Sequence, residues 1–145
     1  MDPDEKWLDA EYVDGPDIIC HLPTCRGERE RERWAKILAP YDYMVFEEDI
    51  QHRNIEHIYK KGVCYNVENF LYAASLIKSS KLFVGNVSCW NAVAEGLKAR
   101  RLIDVGSGAH NANPQDKTGI ATQDFDDEKV ANLIAKAMAG EEWDE

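Results

Sequence analysis

Lys81-Leu82-Phe83-Val84-Gly85-Asn86-Val87-Ser88-Cys89-Trp90-Asn91-Ala92-Val93-Ala94-Glu95-Gly96-Leu97-Lys98 reads as a strand, a tight polar turn and a helix in immediate succession. The apolar run Leu82-Phe83-Val84 suits a strand covered on both faces. Gly85-Asn86 permits a sharp turn, because Gly lacks a Cβ and Asn tolerates unusual backbone angles. Ser88 suits an N-cap, its hydroxyl accepting from free N–H groups of the first turn. A helix start leading out of a strand end concentrates unpaired N–H donors and the positive end of the helix dipole, which favours an anion. The expectation is therefore a phosphate-bearing ligand at this turn. The helix then runs into a second strand, Arg101-Leu102-Ile103-Asp104-Val105.

The same alternation extends outward. Residues 1–15 read as an extended segment with Trp7, Leu8, Tyr12 and Val13 as anchors. Strands are expected at 17–22 and 43–46, with a helix over 28–39 stopped by Pro40. A short helix over 50–59, an edge strand over 63–67 and a helix over 68–79 follow. The last of these carries an apolar stripe of Phe70, Leu71, Ala74 and Ile77. After the strand at 101–105 comes a Gly/Asn/Pro-rich loop over 106–119, then an amphipathic helix over 127–139. The Glu28–Arg33 alternation places like charges four apart and opposite charges three apart, two effects of about 0.2–0.5 kcal/mol each that cancel, so a solvated helix start is expected. Strands alternating with helices predict a doubly wound, mainly parallel sheet of about five strands, helices on both faces, in one Rossmann-like domain. An acidic tail is expected over 141–145. Ligands of such sheets lie beyond the carboxyl ends of the strands, which singles out the loops at 21–28, 85–88 and 105–116.

The 145-residue chain is 44% hydrophobic, enough for one core. It has no run near the ~18 apolar residues of a membrane span, and its acidic start is unlike a secretory signal. A soluble, cytoplasmic protein is the expectation. The net charge of −10 disfavours nucleic acid, whose phosphates demand Lys and Arg. The four cysteines, Cys20, Cys25, Cys64 and Cys89, form no CxxC pair and no zinc spacing with a histidine. Cys20 and Cys64 fall in apolar runs and read as buried thiols. Asp104, Asp124, Asp126 and Asp127 match no cation-ligand spacing, so no metal is expected.

The block 82–88, followed by Ala92-Val93-Ala94-Glu95-Gly96-Leu97-Lys98 and Arg101-Leu102-Ile103, resembles the carboxyl-terminal nucleotide-sugar-binding half of GT-B glycosyltransferases. It is similar above all to the heptosyltransferase-like group and its short phage- and bacterium-encoded relatives. The resemblance extends more loosely over residues 17–140, through Ile18–Arg26, Trp34 and Ala73-Ala74-Ser75-Leu76-Ile77. It implies that Asn86 and Ser88, with the amides of 87–89, hold a donor diphosphate or sugar, that Arg26 pairs with the phosphates, and that Thr24 adds a hydroxyl. The nucleotide sugar would be a donor substrate; no other cofactor is implied. Two features depart from the pattern. The Gly-Pro-Gly-type phosphate loop and its Lys are not matched by Leu22–Gly27. The amino-terminal half, which usually holds the acceptor and base, has no counterpart, so another chain or a homodimer would supply it.

Each site residue has a plainer reading beside the functional one. Asn86 and Ser88 also serve as a turn and a cap, and Arg26 as a solvated loop residue. Glu95, two turns below Ser88 and about 10 Å away, fits a buried structural acid as well as a ligand contact. Trp90 lies beside the anion site and is a ring for a base or sugar, or else core. His21 at a strand end is the weak choice for a general base, and His110 for substrate contact. The rival to a glycosyltransferase-like function is a non-catalytic interaction or nucleotide-sequestering protein on the same scaffold. A third is a nucleoside-processing enzyme using Glu95 or Asp104.

Overall fold

The computed structural model describes residues 5–6, 8–21, 28–46, 63–64, 70–86, 89–104, 118–122 and 126–143. Among them, strands β1 (Ile18–His21), β2 (Tyr43–Phe46), β3 (Val63–Cys64), β4 (Leu82–Asn86), β5 (Arg101–Asp104) and β6 (Gly119–Ala121) form one sheet in the order β3-β2-β1-β4-β5-β6. Every pairing is parallel. The sixth strand is an addition to the expected five. It begins where the predicted loop was to end, and its three residues carry too little pattern to stand out.

Helices α1 (Glu28–Leu38), α2 (Phe70–Ser79), α3 (Cys89–Leu97) and α4 (Asp127–Met138) cover the sheet. Strand alternation divides the core in two. Ile18, Cys20, Leu82, Val84 and Leu102 face Trp34, Ala35 and Leu38 of α1 and Val130, Ile134 and Ala137 of α4. Ile19, Phe83 and Ile103 face α2 and α3. The central strands are thus buried on both faces, which is why they read as unbroken apolar runs. The expected helix over 50–59 lies outside the described residues.

Helix α2 departs from the expected stripe. Ala73 to Ile77 are buried in succession, whereas Phe70 and Leu71 are 47% and 68% exposed. The first turn is open to solvent. The rest is enclosed by the sheet, by α3 and by the extended segment at 8–16. In that segment Val13 N–H donates to Ser79 Oγ at 2.8 Å, and Lys78 Nζ bonds Asp9 Oδ1 at 2.6 Å and Ala10 O at 2.5 Å. Leu8 N–H reaches Gly96 O at 3.1 Å, and Leu8, Ala10 and Val13 add to the core. Tyr12, expected as an anchor, is instead 78% exposed, its ring under Lys78 Nζ at 4.7 Å.

On the opposite face, Asp126 caps α4 by accepting from Lys129 N–H at 2.8 Å, and Asp127 and Glu128 fill the first turn as the helix dipole favours. Arg33, in the charged run expected to be solvated, reaches Asp127 Oδ1 at 2.5 Å and ties α1 to α4. The start of the acidic tail is docked: Trp143 Nε1 donates to Leu133 O at 2.8 Å, and Arg100 lies 4.3 Å from the Trp143 ring centroid. No described helix is long and apolar enough to cross a membrane.

Candidate functional site

Strand order reverses between β1 and β4. From β1 the chain winds outward through β2 to β3, and from β4 outward through β5 to β6. The crevice beyond the carboxyl ends of β1 and β4 is where open sheets of this kind take ligands. His21, the last residue of β1, pairs in register with Gly85 of β4. Asn86, the last residue of β4, pairs with Asp104, the last of β5. Helix α3 starts three residues after Asn86, so its amino-terminal end, the positive end of its dipole, lies at this crevice.

Gly85 is required by close packing. A Cβ there would lie 2.6 Å from Cε1 of Phe83, whose ring occupies the space beside it, and 3.5 Å from the carbonyl oxygen of His21. His21 is half-buried with Nδ1 shielded from solvent. Cys20, one residue earlier, is fully buried, and loss of solvation pushes its thiol well above the usual range, so it is no nucleophile.

The register thus sets His21 beside Gly85, with Asn86 next along β4 and α3 starting three residues later. Thr24, Arg26, Ser88 and His110 lie outside the described residues. Trp90 is in the first turn of α3, but its ring is 4% exposed. It meets Phe46 edge-on (centroids 5.4 Å apart, planes at 67°) and lies under Phe70 (5.7 Å, 21°). That placement makes Trp90 core packing rather than the open ring face expected of it.

Glu95 is directed away from the crevice. Its Oε2 accepts from Nη2 of Arg101, and its Oε1 is 3.3 Å from Lys98 Nζ. Arg101 is fully buried and also donates from Nη1 to Ala99 O at 2.8 Å and to Thr118 Oγ1 at 2.7 Å. Arg101 is the first residue of β5, so this cluster lies at the amino end of the sheet, opposite the ligand edge. Of the two readings open for Glu95, the structural acid is the one it occupies. Among the described residues, no group of three His, Cys, Asp or Glu side chains is placed to hold a metal ion.

Two aromatics at the carboxyl edge were not singled out as site residues: Phe46, which ends β2, and Phe70, which opens α2. The available signal was Phe70-Leu71-Tyr72, three consecutive large apolar residues where an amphipathic helix buries only some.

No family model matches the chain, and no curated protein matches it. Among solved structures, the chain is similar to the ADP-heptose LPS heptosyltransferase II of E. coli, at 14% identity and a TM-score of 0.65, over 86% of this chain and 47% of that one. It is also similar to a family 9 glycosyl transferase from Veillonella parvula, at 14% identity and a TM-score of 0.60, over 86% of this chain and 40% of that one. The likeness is one of fold, a Rossmann-like α/β unit, which is the fold that the GT-B resemblance of residues 82–103 implies. The chain spans less than half the length of either structure.

Proposed function

We propose that the chain binds a nucleotide sugar in the crevice beyond β1 and β4, and forms the donor-holding half of a glycosyltransferase when a second domain or subunit completes the site. The observation that carries this reading is the rise of α3 at the strand-order reversal, in a fold shared with two glycosyltransferases. One of those neighbours is named for ADP-heptose.

In glycosyl transfer the bond from the anomeric carbon to the diphosphate oxygen breaks as the acceptor oxygen bonds to that carbon. Negative charge gathers on the leaving diphosphate. Amides at the start of α3 are aimed at that charge before it forms, so they stabilise it without reorganising. Asn86 and Ser88 add side-chain contacts in this reading, and Arg26, with its planar fork of donors, pairs with the phosphates. In the same reading Thr24 and His110 contribute ligand contacts. His21, at the end of β1, takes the base role if this half supplies it. The acceptor side comes from the second domain or subunit that completes the site.

A thermal-shift panel of UDP, GDP, ADP and CDP sugars tests the reading. A ligand at 100 times its Kd adds about 2.7 kcal/mol, a rise of several degrees in Tm. The expected result is a rise with at least one base, lost in Ser88→Ala and Arg26→Ala. No rise with any nucleotide overturns it in favour of the non-catalytic interaction protein.

A further inference from the structure

Phe46, Trp90 and Phe70 form a continuous aromatic stack on the α2/α3 side of the ligand edge. Phe46 ends β2 and Trp90 follows β4, two strands apart with β1 between them. At roughly 4.8 Å per strand that is about 10 Å. The contact between their rings therefore carries the stack from the start of α3 across β1 towards β2. Phe70 forms its outer layer. One face of the Phe70 ring lies on Trp90, with the planes only 21° apart, and the residue remains 47% exposed. Trp90 is itself buried, so the Phe70 ring is held in place before any ligand arrives.

An exposed phenyl ring is costly to hydrate, and a second flat ring covers it well in an offset stack. The stack begins in the first turn of the helix whose amides face the crevice, so a group joined to a bound diphosphate comes within reach of it. A nucleobase is such a group: flat, polarisable and carried a few bonds from the phosphates.

We infer that Phe70, rather than Trp90, is the platform on which the base of the nucleotide stacks. This rests on the nucleotide reading above and assigns that ligand's base a contact. Every base has a π-face, so the platform accepts purines and pyrimidines, purines more tightly for their larger area. Phe70 is a binding residue and takes no part in the chemistry.

Calorimetric titration of the full chain with ADP, GDP, CDP, UDP and inorganic pyrophosphate tests this. Nucleoside diphosphates are expected to bind more tightly than pyrophosphate. Phe70→Leu, which keeps an apolar group on Trp90, is expected to weaken the nucleotides about tenfold and leave pyrophosphate unchanged. Phe70→Tyr, which keeps a ring, is expected to retain wild-type affinity. A measurement on the wild-type chain avoids any folding defect: saturation of aromatic protein protons should pass to the base protons of ADP more than to its ribose protons, and should fall when phenylalanine rings are deuterated. Nucleotide affinity unchanged in Phe70→Leu, or saturation unaffected by deuteration, overturns the platform. Pyrophosphate binding as tightly as all four nucleotides overturns it while leaving the anion site standing. No binding by any of the five removes both.

Discussion

Glu95 and Arg101 show how one pair of side chains can be misread from sequence. Glu95 follows a phosphate-binding pattern and invites a ligand role, and Arg101 reads as the unremarked start of a strand. Folding places them together, with Arg101 fully enclosed and its guanidinium shared among Glu95, the Ala99 carbonyl and Thr118. A buried cation deprived of its carboxylate is costly, typically about 3–5 kcal/mol, because its charge is left enclosed and uncompensated. Glu95→Ala is therefore expected to lower the unfolding free energy by about 3 kcal/mol, read from urea denaturation. Nucleotide affinity should be unchanged under conditions where the variant is folded. A variant as stable as wild type would remove Glu95 from its structural role. Periodicity could not reveal this pair. The partners lie six positions apart, with a helix end and a turn between them.

The extended segment and α2 depend on each other. Helix α2 is apolar almost all round because the segment at 8–16 closes over it, and Gly15 passes so near that a Cβ would lie 2.8 Å from Leu76 Cδ2. The Lys78 ammonium beside Asp9, with a further hydrogen bond from Ala10 N–H, holds the Asp9 carboxyl below its ordinary 3.8. Asp9 is thus more acidic folded than unfolded. The stabilisation it brings is complete above about pH 3.8 and is lost as pH falls through the lower, folded value. The urea midpoint of wild type should exceed that of Asp9→Asn at neutral pH, and the gap should close below pH 3.8. A gap constant through that window would exclude the Asp9–Lys78 contact as its source. Most of these elements were legible from apolar period and punctuation. Residues 43–46 and the start of the helix at 127 match the structure. β6 was not legible, because three residues beginning at Gly119 become a strand only by pairing with β5.

The order β3-β2-β1-β4-β5-β6 gives the sheet its hierarchy of stability as well as its crevice. β1 and β4 are paired on both edges and enclosed on both faces, so their amides exchange only when most of the fold opens. The outermost β3 and β6 are short and open locally. Hydrogen exchange should be slowest in β1 and β4 and much faster in β6; protection of β6 equal to that of β4 would contradict this ordering. The alternation of strands and helices, the parallel sheet and the strand–turn–helix at residues 82–98 follow from local chemistry: apolar runs, turn formers and caps act within a few residues of one another. The adjacency of His21 to Gly85, the burial of Trp90 beneath Phe70, the pairing of Glu95 with Arg101 and the closure of the amino-terminal segment over α2 do not. Each joins side chains whose meeting depends on the order of the strands and on which face a helix covers, and those are settled by packing of the assembled core.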